Sequence, residues 1–204
     1  MIVYFCIEDE LSRTVAERLI CDCCPAGTYS KELGKAYGGF GYIKSNLQKF
    51  HNLALTYPVL IITDMDQHQC PPSLRRNWLA AANLDEPLPN SMLFCIAQTE
   101  IESWLLADTR GIAQFLSISQ ARLQQNIELT VIDSKEYLIN LARRSRNAAV
   151  RKEICPERGS SAITGMGYNY KLSQFVRNDW DVERAAENSS SLRRTINKLA
   201  GLAL

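Results

Sequence analysis

Hydrophobic and polar positions switch between two periods along the first half of the chain. Ile2 to Ile7 (IVYFCI) is a continuous apolar run rich in β-branched and aromatic residues, the pattern of a strand buried on both faces. It stops at Glu8-Asp9-Glu10. Leu11, Val15, Leu19 and Ile20 then recur every three or four residues, which is the buried stripe of a helix. Pro25-Ala26-Gly27 breaks that helix, and a second strand is expected over Thr28 to Leu33. A Gly-rich loop at Gly38 to Gly41 precedes a helix over Tyr42 to Ala54. Pro58 to Thr63 (PVLIIT) is the clearest strand, ending at Asp64-Met65-Asp66. Pro71-Pro72 opens a helix to about Ala82, because proline is tolerated in a first turn. A further apolar strand covers Met92 to Ala97, and Glu100 to Ala107 follows it.

Strand and helix thus alternate through residues 1–110, the signature of an α/β fold with a mostly parallel sheet covered by helices. From Gly111 onward the pattern is of helices and loops. Asp133 to Arg143 has helical spacing, and Ser189-Ser190-Ser191 reads as the start of a last helix. The expected organisation is an α/β core over 1–110 and a mainly helical extension over 111–204, packed as one compact unit.

Composition changes this picture little; charge changes it more. The 204 residues are 46% hydrophobic and 22% charged, which excludes disordered and low-complexity classes. The apolar runs are too short to cross a bilayer, and residues 1–7 carry no basic leader or cleavage site, so a cytoplasmic protein with no membrane partner is expected. The net charge of +1 is made of two opposed halves. Residues 1–142 hold 11 Lys and Arg against 16 Asp and Glu, whereas residues 143–204 hold 12 against 6. A basic tail on an acidic body predicts a surface that faces a polyanion, although Arg-rich helix faces are also common solvated surface. Seven cysteines without an export signal do not make a disulfide framework, and Cys21, Cys23 and Cys24 lack the paired spacing of a zinc site.

The candidate chemistry is acidic. Glu8, the pair Asp64 and Asp66, and Glu100 with Glu102 each follow the end of an apolar strand. Ligands of open α/β sheets bind at the carboxyl ends of strands, so these carboxylates are placed to converge. Clustered carboxylates repel unless a cation neutralises them, and Mg²⁺ or Mn²⁺ is the cation that oxygen donors suit. In extended backbone Asp64 and Asp66 point the same way, so both can approach one metal. Asp and Glu also cap helices and close turns; for Asp9 and Glu10, in a helix's first turn, that structural role is the stronger reading.

A Glu ending the first strand and an Asp-x-Asp ending a later one resemble the Toprim catalytic fold. That fold is shared by topoisomerases, bacterial primases and the overcoming-lysogenization-defect nucleases. The chain is most similar to small Toprim-like bacterial proteins of unassigned function, some of them encoded beside ATPases in defence loci. The likeness runs through IEDELS at 7–12, GYIKSNL at 41–47, ITDMDQ at 62–67 and TEIESWLLAD at 99–108. It continues through ARRSR at 142–146, GYNYKLSQFV at 167–176 and SSSLRRTINKL at 189–199. The resemblance implies Glu8, Asp64 and Asp66 as metal ligands, with Glu100 and Glu102 as candidate acids of a second metal site or as acids standing behind the ligands. Two departures stand out. Related sequences carry Arg near Gln98 or Thr99, and Asp9-Glu10 replaces the usual Glu-Gly, which leaves Glu10 open as an alternative ligand to Glu8.

The resemblance implies a metal-dependent nuclease of DNA or RNA, the effector of an antiphage system with an ATPase partner; a homo-oligomer is compatible with it. The alternative is a non-catalytic Toprim-like binding or regulatory subunit. Such a reaction calls for a cation at the transition state, and the chain offers Lys152, Arg151, Lys171 and Arg194, with Lys152 taken as the catalytic candidate; Arg143, Arg144, Arg146, Arg151, Lys171 and Arg194 are candidates for gripping nucleic acid. Gly165 to Asn169 is Gly-rich without a Walker ending, so Tyr168 either lines a cleft or starts a helix. His51 and His68 are distant in sequence and support no triad. A haloacid-dehalogenase phosphatase, suggested by IITDMD, expects its acids near the start of the core rather than on a third strand.

Overall fold

The computed structural model describes residues 1–34, 39–65 and 70–203. They divide into two compact units, Met1–Gln98 with Ser191–Leu204, and Thr99–Ser190.

In the first unit the expected alternation is present: β1 (Ile2–Cys6), α1 (Glu10–Cys23), β2 (Tyr29–Glu32), α2 (Gly39–Ala54), β3 (Val59–Asp64), α3 (Pro71–Ala81) and β4 (Met92–Ala97). Local chemistry explains the boundaries. Asp9 caps α1, its Oδ1 accepting the Ser12 N–H at 2.8 Å, which is the structural role its position favours. Pro71 and Pro72 fill the first positions of α3, where a missing N–H costs nothing. The four strands are all parallel in the order β2-β1-β3-β4.

Burial follows from the strand period. Val59 and Ile61 face one side of the sheet, where α2 supplies Ile43, Leu47 and Phe50 and α3 supplies Leu74 and Trp78. Trp78 packs on Phe94 of β4 with ring centroids 5.8 Å apart. Leu11, Val15 and Leu19 of α1 are fully buried, and α1 packs against β1, β2 and β3. The last helix, α11 (Ser190–Ala200), returns to β4: Ser191 Oγ accepts the Gln98 N–H at 3.4 Å, and Lys198 Nζ donates to Phe94 O at 3.2 Å.

The second unit is helical: α4 (Glu102–Ala107), α5 (Thr109–Phe115), α6 (Ile127–Thr130), α7 (Ser134–Ala142), α8 (Ala148–Ile154), α9 (Tyr168–Asn178) and α10 (Val182–Glu187). α4 is its axis, every residue buried. Trp180 donates from Nε1 to the Trp104 carbonyl at 3.3 Å, so both tryptophans belong to the core. Asp108, with no exposed surface, takes the Gly111 N–H, the Asp181 N–H and two guanidinium nitrogens of Arg184. All seven cysteines are free thiols, and burial pushes the Cys6 thiol up to about 12.

Candidate functional site

The order β2-β1-β3-β4 fixes where a ligand belongs. The chain leaves β1 for β2 on one side and crosses to β3 on the other, so a crevice opens beyond the carboxyl ends of β1 and β3. Parallel register pairs Cys6 with Ile61, and two residues further on Glu8 stands beside Thr63. There the Glu8 carboxylate accepts the Asp64 backbone N–H at 3.0 Å and the hydroxyl of buried Thr63 through the same Oε1. Hydrogen bonds to a charged acceptor contribute about 1.5–3 kcal/mol each, so Glu8 is held in place rather than merely nearby. It is Glu8 that meets β3, while Glu10 begins α1.

Asp64 ends β3 and pairs with Ala97 of β4. Glu8 and Asp64 are thus neighbouring half-buried oxygen donors at the switch crevice. Their donor chemistry fits a hard divalent cation, Mg²⁺ or Mn²⁺. Asp66 lies outside the described residues. Among the described residues no group of three or more His, Cys, Asp and Glu side chains is arranged to hold a metal.

Glu100 and Glu102 form a second acid cluster inside the second unit. Glu100 Oε2 accepts the Lys135 backbone N–H at 2.8 Å, at the start of α7. The Lys135 ammonium stands 3.5 Å from Glu100 Oε1 and 3.7 Å from Glu102 Oε1. The Tyr168 hydroxyl donates to Glu102 Oε1 at 2.8 Å, while Glu102 Oε2 is buried without a hydrogen-bond partner. Lys135 therefore supplies positive charge beside both carboxylates. Burial lifts the Glu102 carboxyl from 4.5 to about 7, against the pull of Lys135 and with a further push from Glu100. A carboxyl raised by folding favours the folded state while protonated, so this stabilisation is complete below pH 4.5 and lost as pH rises through 7. The loss is on the order of 3 kcal/mol. Urea unfolding of Glu102→Gln at pH 5, 6.5 and 8 should show that slope flattened and the variant more stable than the parent at pH 8.

The basic candidates spread over several surfaces. Arg143, Arg144 and Arg146 are exposed around the end of α7, Arg143 bonded to Asn140 Oδ1 at 2.8 Å. Arg143 also lines a cavity of about 690 Å³ together with Glu100, Lys135 and Arg158. Arg151 donates to the Ser145 carbonyl and pins a turn, and Lys152 is exposed beside it on α8. Lys171 bonds Gln174 Oε1 at 3.1 Å and lies 5.8 Å from the Tyr170 ring centroid. Arg194 is exposed on α11, in the first unit.

Three participants escape the sequence reading: Thr63, Lys135 and, in part, Tyr168. Tyr168 begins α9, the structural role of the two alternatives, and its buried hydroxyl also reaches Glu102. The glycine before it has a packing reason, since a Cβ on Gly167 would stand 1.9 Å from Glu153 Oε2.

Parallel strands in this order, flanked by helices and with an acid at the end of β1 bonded to the end of β3, make the α/β architecture that the alternation of strand and helix led one to expect. No protein-family model matches the chain, and no curated protein is similar to it in sequence. Among solved structures, the chain is similar to the C-terminal region of the Burkholderia pseudomallei OLD protein, over 99% of this chain and 98% of that one. The TM-score is 0.52 and the identity 12%, so the likeness is one of fold. No helix among the described residues is long and apolar enough to cross a membrane.

Proposed function

We propose that the protein is a divalent-metal-dependent nuclease of Toprim type, acting on phosphodiester bonds of DNA or RNA. The observation that carries the reading is the Glu8 carboxylate fastened to the Asp64 N–H and the Thr63 hydroxyl at the switch crevice. Glu8 and Asp64, with Asp66, would hold the metal; when bound, Mg²⁺ or Mn²⁺ supplies a water of lowered pKa and neutralises charge on the phosphate. The chain's own part is to present the carboxylates without reorganisation. Thr63 and the Asp64 backbone N–H orient Glu8 at the end of the strand that Asp64 terminates. Glu100 and Glu102, held by Lys135 and Tyr168, form a separate acid cluster in this reading. The ATPase partner and the antiphage role belong to the same proposal and rest on the family resemblance.

Plasmid DNA and tRNA incubated with the protein in Mn²⁺ test it. Cleavage is expected from the parent chain and not from Asp64→Ala or Asp66→Ala. Equal cleavage by the variants would sink the assignment.

A further inference from the structure

We infer that the outer edge of β4 is a phosphate-binding cleft that holds the backbone of a nucleic-acid strand beside the Glu8–Asp64 crevice. The inference takes its ligand from the nuclease reading, but its evidence is separate.

The cleft is a cavity of about 700 Å³ in the first unit, between α3, α11 and the free side of β4. Among the described residues four cations line it, Arg75, Arg76, Arg194 and Lys198, against one carboxylate, Glu86. Glu86 and Arg75 offset each other, Glu86 Oε1 lying 2.5 Å from Arg75 Nε. The cations come from regular positions on rigid elements: Arg75 and Arg76 from the middle of α3, Arg194 and Lys198 one turn apart on α11. Arg75 is further fixed by Phe94, whose carbonyl accepts its Nη1 at 3.4 Å and whose ring lies 5.6 Å from the guanidinium. The cations act on one small volume. Burial pushes the Cys95 thiol up, while Lys198, Arg75 and Arg194 pull it the other way.

Two features favour a phosphodiester backbone over an acidic peptide. Three of the four cations are arginines, whose planar fork matches phosphate oxygens in pairs. An extended peptide would bind an exposed strand by pairing with its edge, yet Arg75 and Lys198 both occupy the Phe94 carbonyl that such pairing needs. Position adds a third argument. Asp64 pairs with Ala97, and the next residue, Gln98, lines the cleft. Neighbouring strands lie about 4.8 Å apart, so a strand seated in the cleft has its next phosphates at the carboxylate crevice.

The test reads binding without chemistry. A fluorescein-labelled 12-nucleotide DNA and its RNA counterpart are titrated with the full chain in EDTA, by anisotropy, from 50 to 300 mM salt. The double variant Arg76→Ala/Arg194→Ala removes two exposed cations of the cleft. Lys44→Ala/Lys49→Ala removes two exposed cations from α2. The cleft variant should bind at least tenfold more weakly, with a log–log salt slope shallower by about 1.4 for the two lost phosphate contacts. The α2 variant should match the parent. Equal loss in both variants, or none in the cleft variant, overturns the inference, as does competition by polyglutamate at matched charge. A chain that binds in this way but does not cleave in Mn²⁺ contradicts the nuclease reading and upholds the cleft. A chain that cleaves through Asp64 with affinity indifferent to Arg76 and Arg194 overturns the cleft alone.

Discussion

Asp64→Asn should lower Mn²⁺-dependent phosphodiester cleavage by about a thousandfold while leaving the chain folded and at least as stable. The size follows from what a metal-held charge contributes to phosphoryl chemistry, several kcal/mol, at 1.36 kcal/mol per tenfold in rate. Asparagine keeps the shape of the side chain and the backbone N–H that fastens Glu8, so the crevice survives. What it removes is one of two neighbouring like charges, and their repulsion opposes folding in the absence of a cation. Activity and stability should therefore move in opposite directions. Initial cleavage rates and thermal midpoints in EDTA, measured on the same preparations, check both. A variant that loses activity because it unfolds would show a fallen midpoint, and the argument from charge would fail.

The largest effect on stability is expected within the second unit. Asp108 has no exposed surface and four donors converge on it, two from the guanidinium of Arg184 at 2.5 and 2.8 Å. It caps α5 through the Gly111 N–H and ties that helix to α10. Gly111 is required by the same contact, because a Cβ there would stand 2.2 Å from Asp108 Oδ2. Removing one partner of a buried ion pair costs about 3–5 kcal/mol; the one-third exposure of Arg184 puts Asp108→Ala near the lower figure, about 3 kcal/mol. For a chain of this length that is a fall in Tm of roughly 6–12 °C. Asp108→Asn, which can still cap Gly111, should lose less. Equal losses in the two variants would mean that the ion pair, which both remove, and not the cap, carries the energy.

Much of the fold is legible in the sequence because its signals are local. Continuous apolar runs mark the buried parallel strands, and Pro71-Pro72, Asp9 and Asp133 mark helix starts through chemistry confined to one turn. The alternation of strand and helix then leaves few topologies. What is not local is not legible. The apolar stripe of 190–200 announces a helix but not that it returns to the edge of β4. Thr63 reads as one more β-branched strand residue, and only the parallel register brings its hydroxyl to Glu8. Lys135 reads as an ordinary first-turn lysine; its contact with Glu100 and Glu102 spans more than thirty residues of chain. The acids themselves were visible, because strand-terminal carboxylates break the apolar pattern abruptly. Which of them meet depends on strand order, and periodicity carries no information about that.

In the proposed nuclease the Glu8–Asp64 crevice would hold a divalent cation. Calorimetric titration of the metal-free chain with Mn²⁺ tests it most directly, alongside Glu8→Gln and Asp64→Asn. Saturable binding by the parent chain and its loss in both variants are expected. Binding unchanged in the variants, or absent from the parent chain, would contradict it.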